Sequence, residues 1–411
     1  MSRKLSSKKL NFFLVVLIGV ALLQCSKSPV STEKEIPPDL TSAEKGLVES
    51  DNKFGLKLFK EIIKEEKDKN VFISPLSVSM ALGMTLNGAN GSTREAMQKT
   101  LEFNGLAIEE VNQCYKHLME TLTQLDPKVK FQIANSIWYR LGLTPREEFV
   151  NQCQRYFNAL VKGSNFNDPS AADTINGWVD ENTNGKIKEI VDKPIDPLIV
   201  MFLINAIYFK GIWTYQFDPD ETKDDLFIVS FDSVKHCKMM EQRIQCNYFD
   251  NDTFQAVELP YGNEGFSMFI FLPQWWVDID SLIAQFDQEK LNFWMSCFKR
   301  DSMDIFLPKF KIEYEASLNN VLTALGMGIA FVPGQADFSK MFYNLSAFIS
   351  KVKHKTFVDV NEEGTEAAAA TVVEISYGSH DSGFRVNRPF VFMIRENKSQ
   401  TIFFIGKIVE P

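Results

Sequence analysis

The sequence predicts an α+β fold with antiparallel sheets, in which helices come first along the chain and strands later. Apolar residues recur at a helical period over 52–68, and 75–86 is a largely apolar stretch of helical length. From residue 199 onward, apolar runs are short, rich in β-branched and aromatic residues, and separated by turn residues. Because strands and helices do not alternate regularly, a parallel βαβ architecture is not expected.

Four helices are predicted in the first half of the chain. The stretch 52–68 is amphipathic, whereas 75–86 is expected to be a buried helix. Ser92 and Thr93 are predicted cap residues of a third helix, and 173–184 has the pattern of a fourth.

Strands dominate the second half of the sequence. The continuous apolar run 199–209 predicts a strand that is buried on both faces. The stretches 256–260 and 266–272 enclose a Tyr-Gly-Asn-Glu-Gly turn and predict a hairpin. Further strands are predicted at 304–307, 351–360, 390–395 and 402–409.

The composition argues against several classes of function. The 411 residues carry a formal net charge of −9, which disfavours a nucleic-acid partner. The four histidines lack metal-ligand spacing and no two cysteines form a CxxC motif, so no metal or other cofactor is predicted. With Cys25 set aside, the scattered cysteines are expected to be free buried thiols, and a Cys237–Cys246 bridge is the open alternative.

The N-terminus has the pattern of an export signal. A basic flank at 3–9 precedes the apolar run 12–23, which is too short to span a bilayer as a helix. The following Leu-Leu-Gln-Cys resembles a bacterial lipobox, except that Gln24 replaces the usual small residue. A lipoprotein-like signal peptide is therefore predicted at 1–24, with Cys25 lipidated as the first mature residue. Ordinary cleavage nearby and an uncleaved anchor are the alternatives.

Composition divides the rest of the chain into two parts. Residues 25–46 are polar and contain several prolines, which predicts a flexible tether. The globular domain is expected to cover 47–411. The protein is then exported and lipid-anchored to the membrane of the bacterial cell envelope, on its periplasmic or cell-surface side, with secretion as the alternative.

Two short motifs suggest catalysis, and neither has what the chemistry requires. Ser379, His380 and Asp381 are adjacent in one segment, whereas a catalytic triad converges from separate elements. The stretch 88–93 lacks the Gly-Lys-Ser/Thr ending of a phosphate-binding loop. No enzyme activity is predicted.

The stretch 364–378 supports two interpretations. Its four consecutive alanines, Ala367 to Ala370, favour an exposed helix. At alternate positions, the same stretch has one small or apolar face and one polar face, as a strand would. Gly364 offers a backbone pivot at its start. The small or apolar face consists of Thr365, Ala367, Ala369, Thr371, Val373 and Ile375.

Several motifs follow one another along the chain. They are Asn-Val-Phe-Ile-Ser-Pro-Leu-Ser from residue 70, Ile-Asn-Ala-Ile-Tyr-Phe-Lys-Gly-Ile-Trp from 204, Leu-Pro-Lys-Phe from 307, Leu-Gly-Met from 325, the segment 362–371, Asn-Arg-Pro-Phe from 387 and Phe-Ile-Gly-Lys from 404. In this order, and from about Leu47 to Pro411, the sequence resembles the serpin family. The resemblance is highly specific because it extends over the whole predicted domain.

The resemblance implies a serpin fold with three mostly antiparallel β-sheets, about eight to nine helices and an exposed reactive-centre loop. It also implies a monomeric suicide-substrate inhibitor. A serine protease cleaves the loop, and the freed segment inserts into the central sheet while the acyl-enzyme persists. A non-inhibitory serpin that acts as a binding protein is the alternative, although the inward positions of 364–371 carry none of the bulky or charged residues that block insertion.

The resemblance further implies roles for individual residues. The scissile bond is expected at Gly378–Ser379, with an elastase-like protease as partner, or at Tyr377–Gly378, with a chymotrypsin-like one. The hinge of the loop consists of Gly364, Thr365, Glu366, Ala367, Ala368, Ala369, Ala370 and Thr371. The region where the central sheet opens is expected to include Ser74, Ser77, Asn205, Trp213, Lys309, His354 and Glu362, with Lys309 and Glu362 paired.

Overall fold

The computed structural model describes residues 40–343, 347–365 and 383–411. The predicted signal peptide, Cys25, hinge residues 366–371 and both predicted scissile bonds lie outside the described residues. Within the described part, the α-helices are α1 Ser42–Glu65, α2 Pro75–Leu86, α3 Gly91–Thr100, α4 Ile108–Leu122, α5 Glu147–Phe157, α6 Ser170–Asn182, α7 Ile279–Ala284, α8 Gln288–Cys297 and α9 Asn319–Leu322.

The strands of the same residues form two hydrogen-bonded sheets. They are β1 Val71–Ile73, β2 Val129–Arg140, β3 Leu160–Ser164, β4 Met201–Ile212, β5 Lys223–Ser230, β6 Ser233–Asp250, β7 Phe254–Tyr261, β8 Phe266–Pro273, β9 Lys299–Pro308, β10 Phe310–Ser317, β11 Lys353–Asn361, β12 Gly364–Thr365, β13 Phe384–Arg385, β14 Phe390–Glu396 and β15 Ile402–Ile408.

The sheet order confirms the α+β class with mostly antiparallel strands. The six-stranded sheet has the order β10-β11-β12-β4-β2-β3, and the nine-stranded sheet follows β1-β15-β14-β8-β7-β6-β9-β13 with β5 beside β6. Only β2–β3 and β13–β9 are parallel pairs among the described strands. The three expected sheets appear as two because the 18-residue strand β6 pairs with β5 near one end and with β7 near the other.

The helix α1 begins earlier than the sequence analysis predicted. Its first residue is Ser42, so 42–46, the last part of the predicted tether, is helical. Thr41 and Glu44 form a capping box, in which each side chain accepts a hydrogen bond from the backbone N–H of the other residue. This cap fixes the start of the helix upstream of its first buried apolar residues.

The other predicted helices are confirmed, with one correction at a cap. The N-cap of α3 is Asn90, so the prediction of Ser92 and Thr93 as cap residues is wrong. The Thr93 hydroxyl has another partner, because it accepts the backbone N–H of Asp337 at 2.9 Å. Asn90 also donates its backbone N–H to the Asp337 carbonyl at 2.9 Å, which fixes the helix start from outside.

The strand β4 is less buried than predicted. Its residues alternate between buried and half-buried positions from Ile204 to Tyr208, so it is not buried on both faces. The half-buried residues Leu203 and Asn205 line a cavity beside the strand. The face of β4 that carries Leu203 and Asn205 is therefore incompletely covered where it borders this cavity.

The cysteines of the described residues are free, as predicted, and all but Cys297 are buried. The alternative of a Cys237–Cys246 bridge is wrong, because both residues lie on β6 and nine residues of extended strand separate them by about 30 Å. The described ranges contain no His, Cys, Asp and Glu group arranged to hold a metal ion. In the same ranges, no helix has the length and apolar character needed to cross a membrane.

Candidate functional site at the parted strands of the six-stranded sheet

The six-stranded sheet is parted between β11 and β4. The short strand β12 lies between them at one end, where Gly364 and Thr365 pair with both neighbours. Beyond β12, the described residues of β11 and β4 form no ladder with each other. A cavity of about 420 Å³ lies there, lined by both strands, by α2 and by the segment 190–200. One further strand in this position would have hydrogen-bonding partners on both sides.

The two residues of β12 suit this position sterically. A Cβ at Gly364, where φ is +154°, would lie 2.0 Å from the backbone oxygen of Gly211, so a side chain there would force the strands apart. The Thr365 side chain is only 3% exposed, and its hydroxyl shares a 2.6 Å hydrogen bond with the hydroxyl of Tyr261. The inward orientation that the alternating pattern predicts for Thr365 is confirmed.

Trp213 holds the turn that leads into β12. Its ring stacks on Tyr261, with the centroids 4.4 Å apart and the planes at 9°. The indole N–H donates to the carbonyl of Asn361, and the backbone N–H of Trp213 donates to the carbonyl of Glu363, each at 2.9 Å. The end of β4 is thereby fixed to the end of β11 and to Glu363, directly before β12.

The predicted pair of Lys309 and Glu362 is present beside this turn. Lys309 Nζ is 2.7 and 2.9 Å from the two carboxylate oxygens, and Thr222 Oγ1 donates to one of them at 2.8 Å. Burial raises the pKa of the Glu362 carboxyl, but the hydrogen bonds that it accepts, chiefly from Lys309, outweigh burial and leave that pKa lowered. Glu362 is therefore a buried, charged anchor two residues before β12.

Ser74, Ser77, Asn205 and His354 form a connected polar cluster along the parted strands. Ser74 caps α2, and its backbone N–H donates to Nε2 of His354 on β11 at 3.0 Å. Ser77 Oγ donates to the carbonyl of Asn205 on β4 at 3.4 Å. The N-terminus of α2 thus connects two strands that are not paired with each other in this region.

The amide of Asn205 is only partly satisfied. Its Nδ2 donates to Oδ1 of Asn135 on β2 at 2.7 Å. Its Oδ1 is buried and has no hydrogen-bond partner among the described residues. A buried carbonyl oxygen without a donor is destabilising. The Asn205 side chain therefore offers an unused acceptor to a segment that packs beside β4.

Acid is expected to weaken the polar cluster through His354. Burial lowers the pKa of His354 from 6.5 to about 4, so the ring is neutral and Nε2 accepts the Ser74 N–H. The unfolded chain binds this proton first as the pH falls. The stabilisation is therefore complete above pH ~6.5 and is lost toward pH ~4, with about 2 kcal/mol lost by pH ~5.

The measurement is the unfolding temperature at about pH 7 and pH 5 for the wild type and for His354→Gln. Glutamine keeps an acceptor for Ser74 and does not titrate, so the wild type is expected to lose a few degrees more than the variant. Burial also raises the pKa of Asp51 to about 7, but that group is present in both proteins and cancels in the comparison. Equal losses in the two proteins would show that His354 does not carry the acid sensitivity.

Residues 49–411 match the family model described as Serpin (serine protease inhibitor). The chain belongs to the serpin family. Human Serpin B8 is 36% identical over 378 residues, which cover 89% of this chain and 99% of that protein. The native-state structure of tengpin, a thermophilic serpin, has a TM-score of 0.81 at 32% identity and covers 91% of this chain and 96% of tengpin. Human thyroxine-binding globulin complexed with thyroxine has a TM-score of 0.82 at 28% identity, with 90% and 100% covered.

The predicted residues of this serpin fall into two groups in the structure. Trp213, Lys309 and Glu362 surround the turn before β12, together with Gly364 and Thr365. The serines of α2, Asn205 and His354 lie further along the same parting between β11 and β4. The remaining hinge residues and both bonds are outside the described residues and stay predictions.

Sequence reasoning missed three side chains that complete the site: Tyr261, Thr222 and Asn135. The sequence assigns Tyr261 only to a hairpin turn, yet its hydroxyl meets Thr365, which is 104 positions away. Thr222 and Asn135 meet Glu362 and Asn205 across 140 and 70 positions. No local pattern connects residues this far apart, so the signal for them exists only in the folded chain.

Proposed function

We propose that this serpin is a suicide-substrate inhibitor of serine proteases and has no catalytic activity of its own. A target protease cleaves the loop that follows Thr365 and forms an acyl-enzyme. The freed loop then inserts as a new strand between β11 and β4. The single observation that carries the proposal is β12, because Gly364 and Thr365 already pair with both strands at the end of the unfilled position. A chain that continued from β12 would find ladder partners on both sides.

Insertion supplies enough free energy to drive such a step. A strand of about 14 residues is about 45 Å long, and a dozen new ladder hydrogen bonds at about 1 kcal/mol each contribute on the order of 10 kcal/mol. A protease that is still esterified to the loop is carried over that length. Because a misplacement of ~1 Å costs an active site about a hundredfold in rate, the distorted acyl-enzyme deacylates too slowly to escape.

The partner class follows from the loop sequence. Gly378 before the predicted bond suits the small pocket of an elastase-like protease, and Tyr377 before the alternative bond suits a chymotrypsin-like one. We further propose that the serpin is exported, works as a monomer, and is anchored to a bacterial membrane by lipid on Cys25. The support for the anchor is the sequence pattern of residues 1–25.

The test is to mix the purified serpin with a pancreatic elastase and, separately, with chymotrypsin. A covalent complex that survives SDS is expected with at least one of them, and mass spectrometry of the loop peptides is expected to place the cut at Gly378–Ser379 or Tyr377–Gly378. The N-terminal peptide in the same digest is expected to begin at acylated Cys25. Cleavage without any covalent complex, with both proteases, would count against inhibition by trapping.

A binding protein is the second candidate function, favoured by the structural similarity to thyroxine-binding globulin complexed with thyroxine. Loop cleavage separates the two candidates. If the cleaved loop inserts, the unfolding temperature rises well above that of the intact protein, because a new strand completes the six-stranded sheet. An unchanged unfolding temperature after cleavage would favour the binding protein.

A further inference from the structure

The segment 183–199, which we call the strap, follows α6 and borders the cavity between β11 and β4. Its buried side chains Val191 and Ile195 pack with Trp138 on β2 and Ile204 on β4, in a hydrophobic cluster separate from the main core. The strap is thereby attached to the β4 side of the parting. Opposite it, α2 lines the same cavity.

One side chain of the strap, that of Asp192, contacts the β11 side of the gap between β11 and β4. The Asp192 carboxylate lies 2.6 Å from Nζ of Lys353, the first residue of β11, and 3.1 Å from Nζ of Lys351, two residues before that strand. Lys353 is in turn 2.9 Å from Glu315 on β10. The hydrogen bond from Lys353 lowers the pKa of Asp192, so the carboxylate is charged at neutral pH.

The backbone beside Asp192 is held firmly by α6. Oδ1 of Asn176 accepts the N–H groups of Ile190 and Val191, both at 2.9 Å, and its Nδ2 donates to the Val191 carbonyl at 3.0 Å. The backbone that carries Asp192 is therefore held in place by α6 beside β11. Its two ion pairs connect the α6, β2 and β4 side of the sheet to the β11 and β10 side.

We propose that the ion pairs of Asp192 are a latch that sets how fast the cleaved loop inserts. The inference rests on the proposed function. A strand that enters between β11 and β4 moves them relative to each other, and the strap resists this motion because it is packed on β4 and tied to β11. Insertion competes with hydrolysis of the acyl-enzyme, so the latch determines how many serpin molecules are cleaved without trapping a protease.

The solvent exposure of the ion pairs in the latch predicts how strongly they affect the rate of insertion and how sensitive that effect is to salt. The side chains of Asp192 and Lys351 are 64% and 44% exposed, and that of Lys353 is 18% exposed. Ion pairs of this exposure are weak, so their removal is expected to speed insertion about three-fold. Salt of about 0.5 M, where charges are screened over ~4 Å, is expected to have a similar effect on the wild type.

The test compares Asp192→Asn with the matched control Glu189→Gln. Glu189 is on the same strap and carries the same charge, but its partner Lys193 also belongs to the strap. With elastase and chymotrypsin as probe proteases at saturating concentration, we measure the limiting rate of covalent-complex formation and the serpin consumed per protease trapped. Asp192→Asn is expected to be about three-fold faster, to be consumed less, and to lose most of the salt dependence. Glu189→Gln is expected to behave as the wild type.

Two results would overturn the latch and are distinguishable from each other. If Asp192→Asn and the wild type share the same rate and salt dependence, the latch is wrong, and the proposed function stands because the complex still forms. If the wild type forms no covalent complex, the proposed function fails and the latch with it. Lys351→Gln adds a check, because its effect and that of Asp192→Asn must be non-additive if the two residues act as a pair.

Discussion

Replacing Thr365 with arginine is expected to convert the serpin from the proposed inhibitor into a substrate that proteases cleave without being trapped. Thr365 is the first inward residue of the predicted hinge, is 3% exposed, and is hydrogen-bonded to the fully buried Tyr261. Because Thr365 is already buried in β12 of the intact protein, a guanidinium at this position would expel β12 from the sheet, and the loop could then insert only by burying that charge. The cleavage step is unaffected, because the predicted bonds lie twelve or more residues further along the chain.

The expected effect is large because an unpaired charge is expensive to bury. Burial costs several kcal/mol, and every ~1.4 kcal/mol changes a rate about tenfold. Insertion of the Thr365→Arg loop is therefore expected to slow on the order of a hundredfold or more. The number of serpin molecules consumed per protease inhibited rises in proportion, as measured by titrating residual protease activity.

Glu363→Arg is the matched control for this substitution. It introduces the same side chain two residues earlier, where the native residue is exposed. Near-normal inhibition is expected from the control, since its guanidinium stays in water. If Thr365→Arg trapped proteases as efficiently as Glu363→Arg, a strand that continues from β12 would not be the mechanism.

The orientation of Thr365 shows what the sequence was able to predict. Alternation of side chains is a local property of an extended chain, so the inward orientation of Thr365 follows from spacing once the stretch is a strand, although spacing alone also allowed a helix. The same holds for α2, whose bounds match the predicted 75–86, and for the hairpin of β7 and β8. Local periodicity and turn residues are therefore sufficient to predict this part of the fold.

The strand β2 is an element that local sequence patterns do not predict. Its apolar residues alternate from Val129 to Ile133, but Asn135 and Ser136 interrupt the pattern, so no strand is predicted there. Both polar residues are buried, Ser136 with a local partner in the Trp138 indole two residues later. Asn135 has a distant partner, because it accepts a hydrogen bond from Asn205 on β4, 70 positions away. The contacts that define the site and the latch belong to this long-range class.

Glu362→Lys is expected to increase polymer formation by this serpin. The substitution places a second ammonium group where Lys309 Nζ now lies 2.7 Å from a carboxylate, and it removes the acceptor of Thr222. Loss of one partner from a largely buried pair costs on the order of 3 kcal/mol. The turn that fixes β12 then loosens, and the open edges of β11 and β4 become available to the loop of another copy.

The measurement is the distribution of monomer and polymer on native gels after mild warming, with Glu363→Lys as the control at an exposed neighbouring position. The charge-swapped variant Glu362→Lys with Lys309→Glu is expected to restore most of the monomer, because the pair re-forms with opposite polarity. A Glu362→Lys protein that remains as monomeric as its control would mean that this pair does not hold β12 in place.

Combining the two substitutions tests whether polymers form by the same insertion that traps proteases. In the double variant Glu362→Lys with Thr365→Arg, the six-stranded sheet of each copy is loosened. The loop of each copy, however, carries an arginine at position 365, which cannot be buried in the sheet of another copy. If polymers arise from loop insertion into β11 and β4, the double variant is expected to polymerise far less than Glu362→Lys alone. Equal polymerisation would assign the polymers to another contact, because a buried guanidinium at 365 opposes every insertion through this position, within one molecule or between two.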